Sequence, residues 1–195
     1  MSHFNKISVF ITRPPELLHS ITHVLPSNRF QVYASPTVSI EPVTLNSEQN
    51  ECFNNAADYD YTIFTSRYAV ENTLTLCSNL GICPLVFNNG TLCAGGPMVS
   101  AHLENQGLHV DIIPHQYTAE ALASIIPRTR KPAKILFPKG NCSPNILEPL
   151  LKKKGHSVDS IEVYRVTQHD DLYPQLQQKI DDQDVDCIAC RHRPT

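Results

Sequence analysis

Tyr61-Thr62-Ile63-Phe64-Thr65-Ser66-Arg67-Tyr68-Ala69-Val70 reads as a buried strand, a hydroxyl pair and the first turn of a helix. Tyr61, Ile63 and Phe64 are strand formers in a short apolar run, which suits a central parallel strand covered on both faces. Ser66 is placed to cap the helix, and Ala69, Val70, Thr73, Leu74 and Cys77 then recur at helical spacing. A strand that feeds a helix leaves backbone N–H groups at the carboxyl edge of the sheet. In open α/β sheets that edge is where ligands bind, and a helix start favours anions. Most βα units share this pattern and bind nothing, so the segment speaks first to fold.

The same alternation continues on both sides. Towards the N-terminus, Ile7–Ile11 reads as a strand ending at Thr12-Arg13-Pro14-Pro15, followed by an apolar stripe at Leu17, Leu18, Ile21, Val24 and Leu25. Phe30–Tyr33 is a second short strand. Pro36–Pro42 alternates apolar and polar residues between two prolines, which fits an edge strand or an extended linker. Ser47 is expected to cap a helix through Phe53 and Ala57. Towards the C-terminus, Cys83–Asn89 is a loop or poor strand, and Leu92–Ala94 is a strand closed by Gly95-Gly96-Pro97. A helix then runs to Gln106, Val110–Ile113 is a further strand, and Thr118 caps a helix. Lys134–Phe137 is a strand ending in Pro138-Lys139-Gly140-Asn141. Ser143 is expected to cap the next helix, with Pro144 at its first position and Gly155 after its end. Ser157–Val166 is a strand, Leu172–Ile180 a helix and Val185–Ala189 a last strand. This rhythm indicates parallel α/β sheets. No helix follows to cover the last strand, so the chain reads as cut short.

At 195 residues the chain can hold one ordinary domain or two small ones. With 41% hydrophobic and 18% charged residues it is globular in composition, and its net charge of -3 argues against nucleic-acid binding. The short basic runs Arg128–Lys131 and Lys152–Lys154 read as solvated faces or as a positive rim for an acidic small molecule. No stretch is long and apolar enough to span a bilayer, and Met1–Lys6 lacks a signal-peptide pattern, so a cytoplasmic location is expected. Seven cysteines, an odd number mostly inside expected elements, suggest free thiols. Cys187-Ile188-Ala189-Cys190 is a lone C-x-x-C within a strand pattern and has neither a helix start nor a second ligand pair. The nine histidines show no ligand spacing, and no metal site is expected.

In order along the chain, ITRPP (Ile11–Pro15), YTIFTSRYAV (Tyr61–Val70), YTAEALA (Tyr117–Ala123), ILFPKGN (Ile135–Asn141), LEPLLKKKG (Leu147–Gly155) and VYRV (Val163–Val166) resemble uroporphyrinogen-III synthases. The resemblance implies two doubly wound Rossmann/flavodoxin-like parallel-sheet domains joined by a two-stranded linker, with a cleft between them. Residues 1–35 plus 168–195 would form the first domain, incomplete here, and 37–167 the second. Two departures stand out. Cys190-Arg191 occupies the place of a second Thr-Ser turn, and Gly96-Pro97-Met98-Val99-Ser100 replaces a Gly-x-x-Thr-Ala turn, where Val99 brings no hydroxyl.

The family's reaction cyclises the linear tetrapyrrole hydroxymethylbilane with loss of water and inversion of the last pyrrole ring. It uses no metal or organic cofactor. The substrate is rich in carboxylates, so the site needs hydrogen-bond donors, a proton source at the departing hydroxyl and a fixed orientation. The resemblance places Tyr164 as proton donor, with Arg13, Thr65, Ser66, Gly96, Lys139, Gly140 and Asn141 as substrate contacts. Each has a plainer reading as well: Ser66 as a helix cap, Lys139–Asn141 as a turn, Tyr164 as a packed strand tyrosine, Arg13 as a strand end. Thr118 and Glu120 read more as a cap than as site residues. The chain is thus expected to be a monomeric enzyme. The alternative is a shortened, catalytically impaired tetrapyrrole-binding protein; an unrelated α/β regulatory domain for another small anion is a more distant one.

Overall fold

The computed structural model describes residues 6–12, 23–34, 36–169, 173–182 and 185–189. It divides into two compact units, Met1–Glu41 with Val166–Thr195, and Pro42–Arg165.

The first unit is built on β1 (Ile7–Ile11), whose Val9, Phe10 and Ile11 are buried. β2 (Phe30–Ala34) and β8 (Cys187–Ala189) flank it, both parallel to β1, to give the order β2-β1-β8. The central place of β1 explains its burial, because only the middle strand of three has neighbours on both sides. The helical stripe expected at Leu17, Leu18 and Ile21 falls outside the described residues. Val24 corrects part of that stripe: it lies in a turn and is 72% exposed. The helix expected at Leu172–Ile180 is Tyr173–Asp181.

The second unit contains α1 (Ser47–Asn54), β4 (Tyr61–Phe64), α2 (Arg67–Leu80), β5 (Thr91–Ala94), α3 (Pro97–Glu104), α4 (Ala119–Ile125), β6 (Lys134–Gly140) and α5 (Leu147–Lys153). β3 (Val38–Pro42) and β7 (Ser157–Gln168) cross the boundary between units, and the full sheet order is β3-β7-β6-β4-β5. β5, β4, β6 and β7 are mutually parallel. β4, first of these in the chain, is therefore in the middle, with β5 on one side and the later β6 and β7 on the other. The winding reverses between β4 and β6, the arrangement of a doubly wound sheet.

Alternate residues of these strands pack on opposite faces. Ile63, Cys93, Ile135, Phe137 and Val158 meet Leu122, Ala123 and Ile126 of the α4 segment and Leu147 and Leu151 of α5. Phe64 is also buried, with Phe87 edge-on at 5.9 Å. Burying each large apolar side chain contributes about 1.5–3 kcal/mol, so a strand covered on both faces has to read as a continuous apolar run.

Several local expectations fail, some of them because a distant partner decides. Val110–Ile113 does not become a strand: it makes one isolated parallel bridge, Ile112 to Cys93. The Asp111 carboxylate accepts the Leu92 N–H at 2.8 Å, substituting a side chain for a ladder bond. Asn46, not Ser47, caps α1, through a reciprocal pair with Gln49. Cys83–Asn89 contains a 3-10 turn over Pro84–Asn89. The three lysines at 152–154 are not equivalent either. Lys152 pairs with Glu148 at 2.7 Å, whereas Lys154 donates to the carbonyls of Ala123, Ser124 and Ile126 and so closes the end of α4.

Candidate active site

The carboxyl ends of β4 and β6 are adjacent in the sheet, and the connections leaving them diverge. Such a reversal opens a crevice beyond the strand ends. Phe64 closes β4, Thr65 is exposed, and Ser66 caps α2 by accepting the Tyr68 N–H at 3.2 Å. The capping expected of Ser66 from its position holds. So does that of Thr118, which accepts from Ala121 N–H at 3.1 Å.

Tyr164 reaches this corner from β7. Its hydroxyl donates to Ser66 Oγ at 3.1 Å, across 98 positions of sequence, and its ring lies 5.8 Å from that of Tyr68. Tyr164 is 7% exposed, so its phenol is presented from a packed ring, not from a mobile surface chain. Arg67 stacks over the Tyr68 ring at 4.9 Å and also pairs with Glu71 at 3.7 Å.

Gly140, the last residue of β6, is buried beneath Tyr164 and opposite it in register. Its N–H donates to Ser143 Oγ at 3.2 Å, and its carbonyl accepts the Ser143 N–H at 3.0 Å. This overturns the expected role of Ser143: the helix starts only at Leu147, after a turn, and Ile146 stands at its cap position without a side-chain bond. Asn141 is exposed, and its N–H donates to the Tyr164 carbonyl at 3.4 Å. Lys139 is half-buried and turned to Glu148 at 3.5 Å. The Glu148 carboxyl is held below the usual carboxylate range by its bond to Lys152, with further help from the charge of Lys139. The Lys139 charge is thus matched within the fold.

On the other flank, the Gly95 N–H donates to the Phe64 carbonyl at 2.7 Å, and a Cβ at Gly95 would stand 3.0 Å from Thr65 Cα. Gly96 is buried under the exposed ring of Tyr117, where a Cβ would stand 3.4 Å from Tyr117 Cγ. Val99 is buried in the first turn of α3, and Ser100 turns its hydroxyl to Glu104 at 3.0 Å.

Thr65, Ser66, Gly140, Asn141 and Tyr164 therefore form one contiguous group, with Gly96 beyond Thr65. Lys139 is directed away from them, and Arg13 lies outside the described residues. Sequence reasoning took Ser143 for a helix cap only and did not single out Tyr68, Gly95 or Tyr117 as site residues. Gly95 and Ser143, each beside an already suspected turn, carried a signal.

Other reactive groups are quiet. Burial pushes the Cys77 thiol up to about 11 and the Cys93 thiol up to about 12. Burial also raises Tyr59, whose hydroxyl donates to Asp159 at 2.7 Å. Among the described residues no group of three or more His, Cys, Asp or Glu could hold a metal ion, and no helix is long and apolar enough to cross a membrane.

Fold and site together define a doubly wound parallel α/β protein with hydroxyl, phenol and backbone groups gathered at the carboxyl edge of its sheet. Residues 21–190 match the family model of uroporphyrinogen-III synthase HemD, and the chain belongs to that family. It is 27% identical over 165 residues to a Methanothermobacter thermautotrophicus protein named "Putative uroporphyrinogen-III synthase", covering 84% of this chain and 64% of that relative. The chain thus spans less than two thirds of that relative's length. A crystal structure of a mutant uroporphyrinogen III synthase from the extremely thermophilic bacterium Thermus thermophilus superposes with a TM-score of 0.73 at 16% identity, over 93% of this chain and 71% of that one. The Helicobacter pylori uroporphyrinogen-III synthetase gives 0.50 at 14% identity, over 84% and 63%. At these identities the structures speak to fold alone.

Proposed function

We propose that the protein is a uroporphyrinogen-III synthase, a lyase of tetrapyrrole synthesis that closes hydroxymethylbilane into uroporphyrinogen III. It would act as a cytoplasmic monomer, without metal or organic cofactor. Residues 37–167 would form the whole second domain, and 1–35 with 168–195 the first. The observation that carries the reading is the Tyr164 hydroxyl resting on the Ser66 cap at the sheet reversal. Family membership supplies the reaction class.

In this reading the phenol gives its proton to the departing hydroxyl. The carbon–oxygen bond breaks and its electron pair leaves with water. Inversion of the last ring breaks its existing bridging carbon–carbon bond and remakes it at the ring's other α position, and completion of the macrocycle releases a proton, which returns to the phenolate. General acid catalysis of this kind contributes roughly 10²–10⁴-fold. Thr65, Ser66, Gly96 and Asn141 would meet carboxylates through hydroxyl, amide and backbone donors.

A second reading, a tetrapyrrole-binding member without turnover, is favoured by Val99, which stands without a hydroxyl where the family resemblance expects threonine. One assay separates the two. Hydroxymethylbilane is generated in situ, the protein added, and the oxidised products resolved by isomer. Type III product is expected. Type I product alone overturns the enzyme reading, and thermal stabilisation by the tetrapyrrole without turnover then supports the second.

A further inference from the structure

We propose that Gly140, seated by Ser143, is a positioning residue for Tyr164 that sets where the phenol oxygen stands, and is not a contact for substrate. The proposal rests on the reading of Tyr164 as proton donor.

Three observations converge on Gly140. The first is register. Lys139 pairs with Glu162, but Gly140 pairs with Tyr164, so β7 carries Val163 as an extra residue at that point. A bulge of this kind re-aims the side chain that follows it. Val163 and Tyr164 are consecutive and both buried, at 3% and 7% exposed.

The second is space. A Cβ built on Gly140 would lie 2.6 Å from Tyr164 Cε2 and 2.7 Å from its hydroxyl oxygen, inside the 3.0 Å that real Cβ contacts respect. The obstructing atoms belong to a ring that is itself confined by Tyr68 and tethered to Ser66. The phenol can rest where it does because residue 140 has no side chain.

The third is hydrogen bonding. The Gly140 N–H and carbonyl are both engaged by Ser143. A backbone whose donor is already satisfied inside the fold has nothing to offer a carboxylate. Ser143 instead holds the floor on which the ring lies. Any residue larger than glycine lifts the ring, and the lift is felt most at its far end, where the hydroxyl meets Ser66. Reactive geometry is steep, and a misplacement of about 1 Å costs on the order of 100-fold in rate.

The test uses the full chain and three single variants, Tyr164→Phe, Gly140→Ala and Ser143→Ala, with kcat and KM for type III product. Gly140→Ala is expected to lower kcat on the order of 100-fold with KM within about threefold, and Ser143→Ala to lower kcat by about three- to tenfold. In a Tyr164→Phe background, Gly140→Ala is expected to remove nothing further, because its effect passes through the missing hydroxyl. Ser143→Ala keeps the question open to test if Gly140→Ala fails to fold. A raised KM at unchanged kcat would make Gly140 a substrate contact and overturn the proposal. Tyr164→Phe as fast as the parent protein would sink the proton-donor reading itself. A slow Tyr164→Phe beside wild-type rates for Gly140→Ala and Ser143→Ala would sink only the positioning role.

The seat is also read without turnover. In protein labelled with 3-fluorotyrosine, the fluorine resonance absent from Tyr164→Phe should move in both Gly140→Ala and Ser143→Ala. A resonance unmoved in either fold-competent variant overturns the proposal.

Discussion

The turns after β4 and after β6 look alike in sequence, strand followed by hydroxyl followed by helix, and they are built differently. After β4 the hydroxyl of Ser66 serves the helix ahead of it, and α2 begins at once with Arg67. After β6 the hydroxyl of Ser143 serves the strand behind it, and α5 waits until Leu147. Ser143 and Ser66 are both good caps by type. What differs is which N–H lies nearest, and that depends on the chain path around Gly140. One turn runs straight into its helix at the carboxyl edge of the sheet; the other closes on itself and leaves a bare glycine under a tyrosine.

The sharpest way to break this contrast is Tyr164→Phe, since the phenol is what joins the two turns. Type III product formation should fall by at least about 100-fold, while the melting temperature changes little because the ring stays packed. A normal rate would detach Tyr164 from the chemistry.

Next in size is the cap itself. Ser66→Ala should cost about 1 kcal/mol of stability in denaturant unfolding, and Ser66→Gly only a few tenths. Equal losses from the two would mean that Ser66 stabilises through something other than the Tyr68 N–H.

Asn46 and Ser47 offer a smaller version of the same question. Asn46→Ala should destabilise by about 1 kcal/mol and Ser47→Ala by less than about 0.5 kcal/mol. The reverse order would restore Ser47 as the cap.

The smallest effect lies behind the β6 turn, at Glu148. Its carboxyl is depressed in the folded chain by Lys152 and, behind it, Lys139. A depressed folded value means stability that is present above the unfolded carboxylate range, about 4.3, and is lost as pH falls through the folded value. Melting temperature should therefore drop more steeply for the parent protein than for Glu148→Gln as pH is lowered from about 5 towards about 3. Parallel curves would show that the exposed ends of this network are screened by solvent.

Much of the second unit was legible from the chain. The apolar runs of β4 and β6 and the helical spacing of α2 are short-range signals that agree with burial, so Ser66 and Thr118 could be placed as caps. The site was half legible. Thr65, Ser66, Gly140 and Tyr164 were named, but for separate reasons, and nothing local said that Tyr164 would touch both Ser66 and Gly140. The misplaced elements share a cause. Val110–Ile113 has strand-like residues, yet Asp111 spends its carboxylate on Leu92. Lys154 looked solvated, yet it closes α4 from about thirty residues away.

What the amino-acid order by itself determined is the kind of sheet and most of the order of its strands and helices, because periodicity and residue type act over a few neighbours and survive any arrangement of the rest; the family was carried by the resemblance of its ordered motifs. What only the tertiary structure decided is the job each polar group does. A hydroxyl or an ammonium bonds to whatever donor or acceptor folding brings within about 3 Å, and a glycine is required only where another chain segment comes to rest upon it.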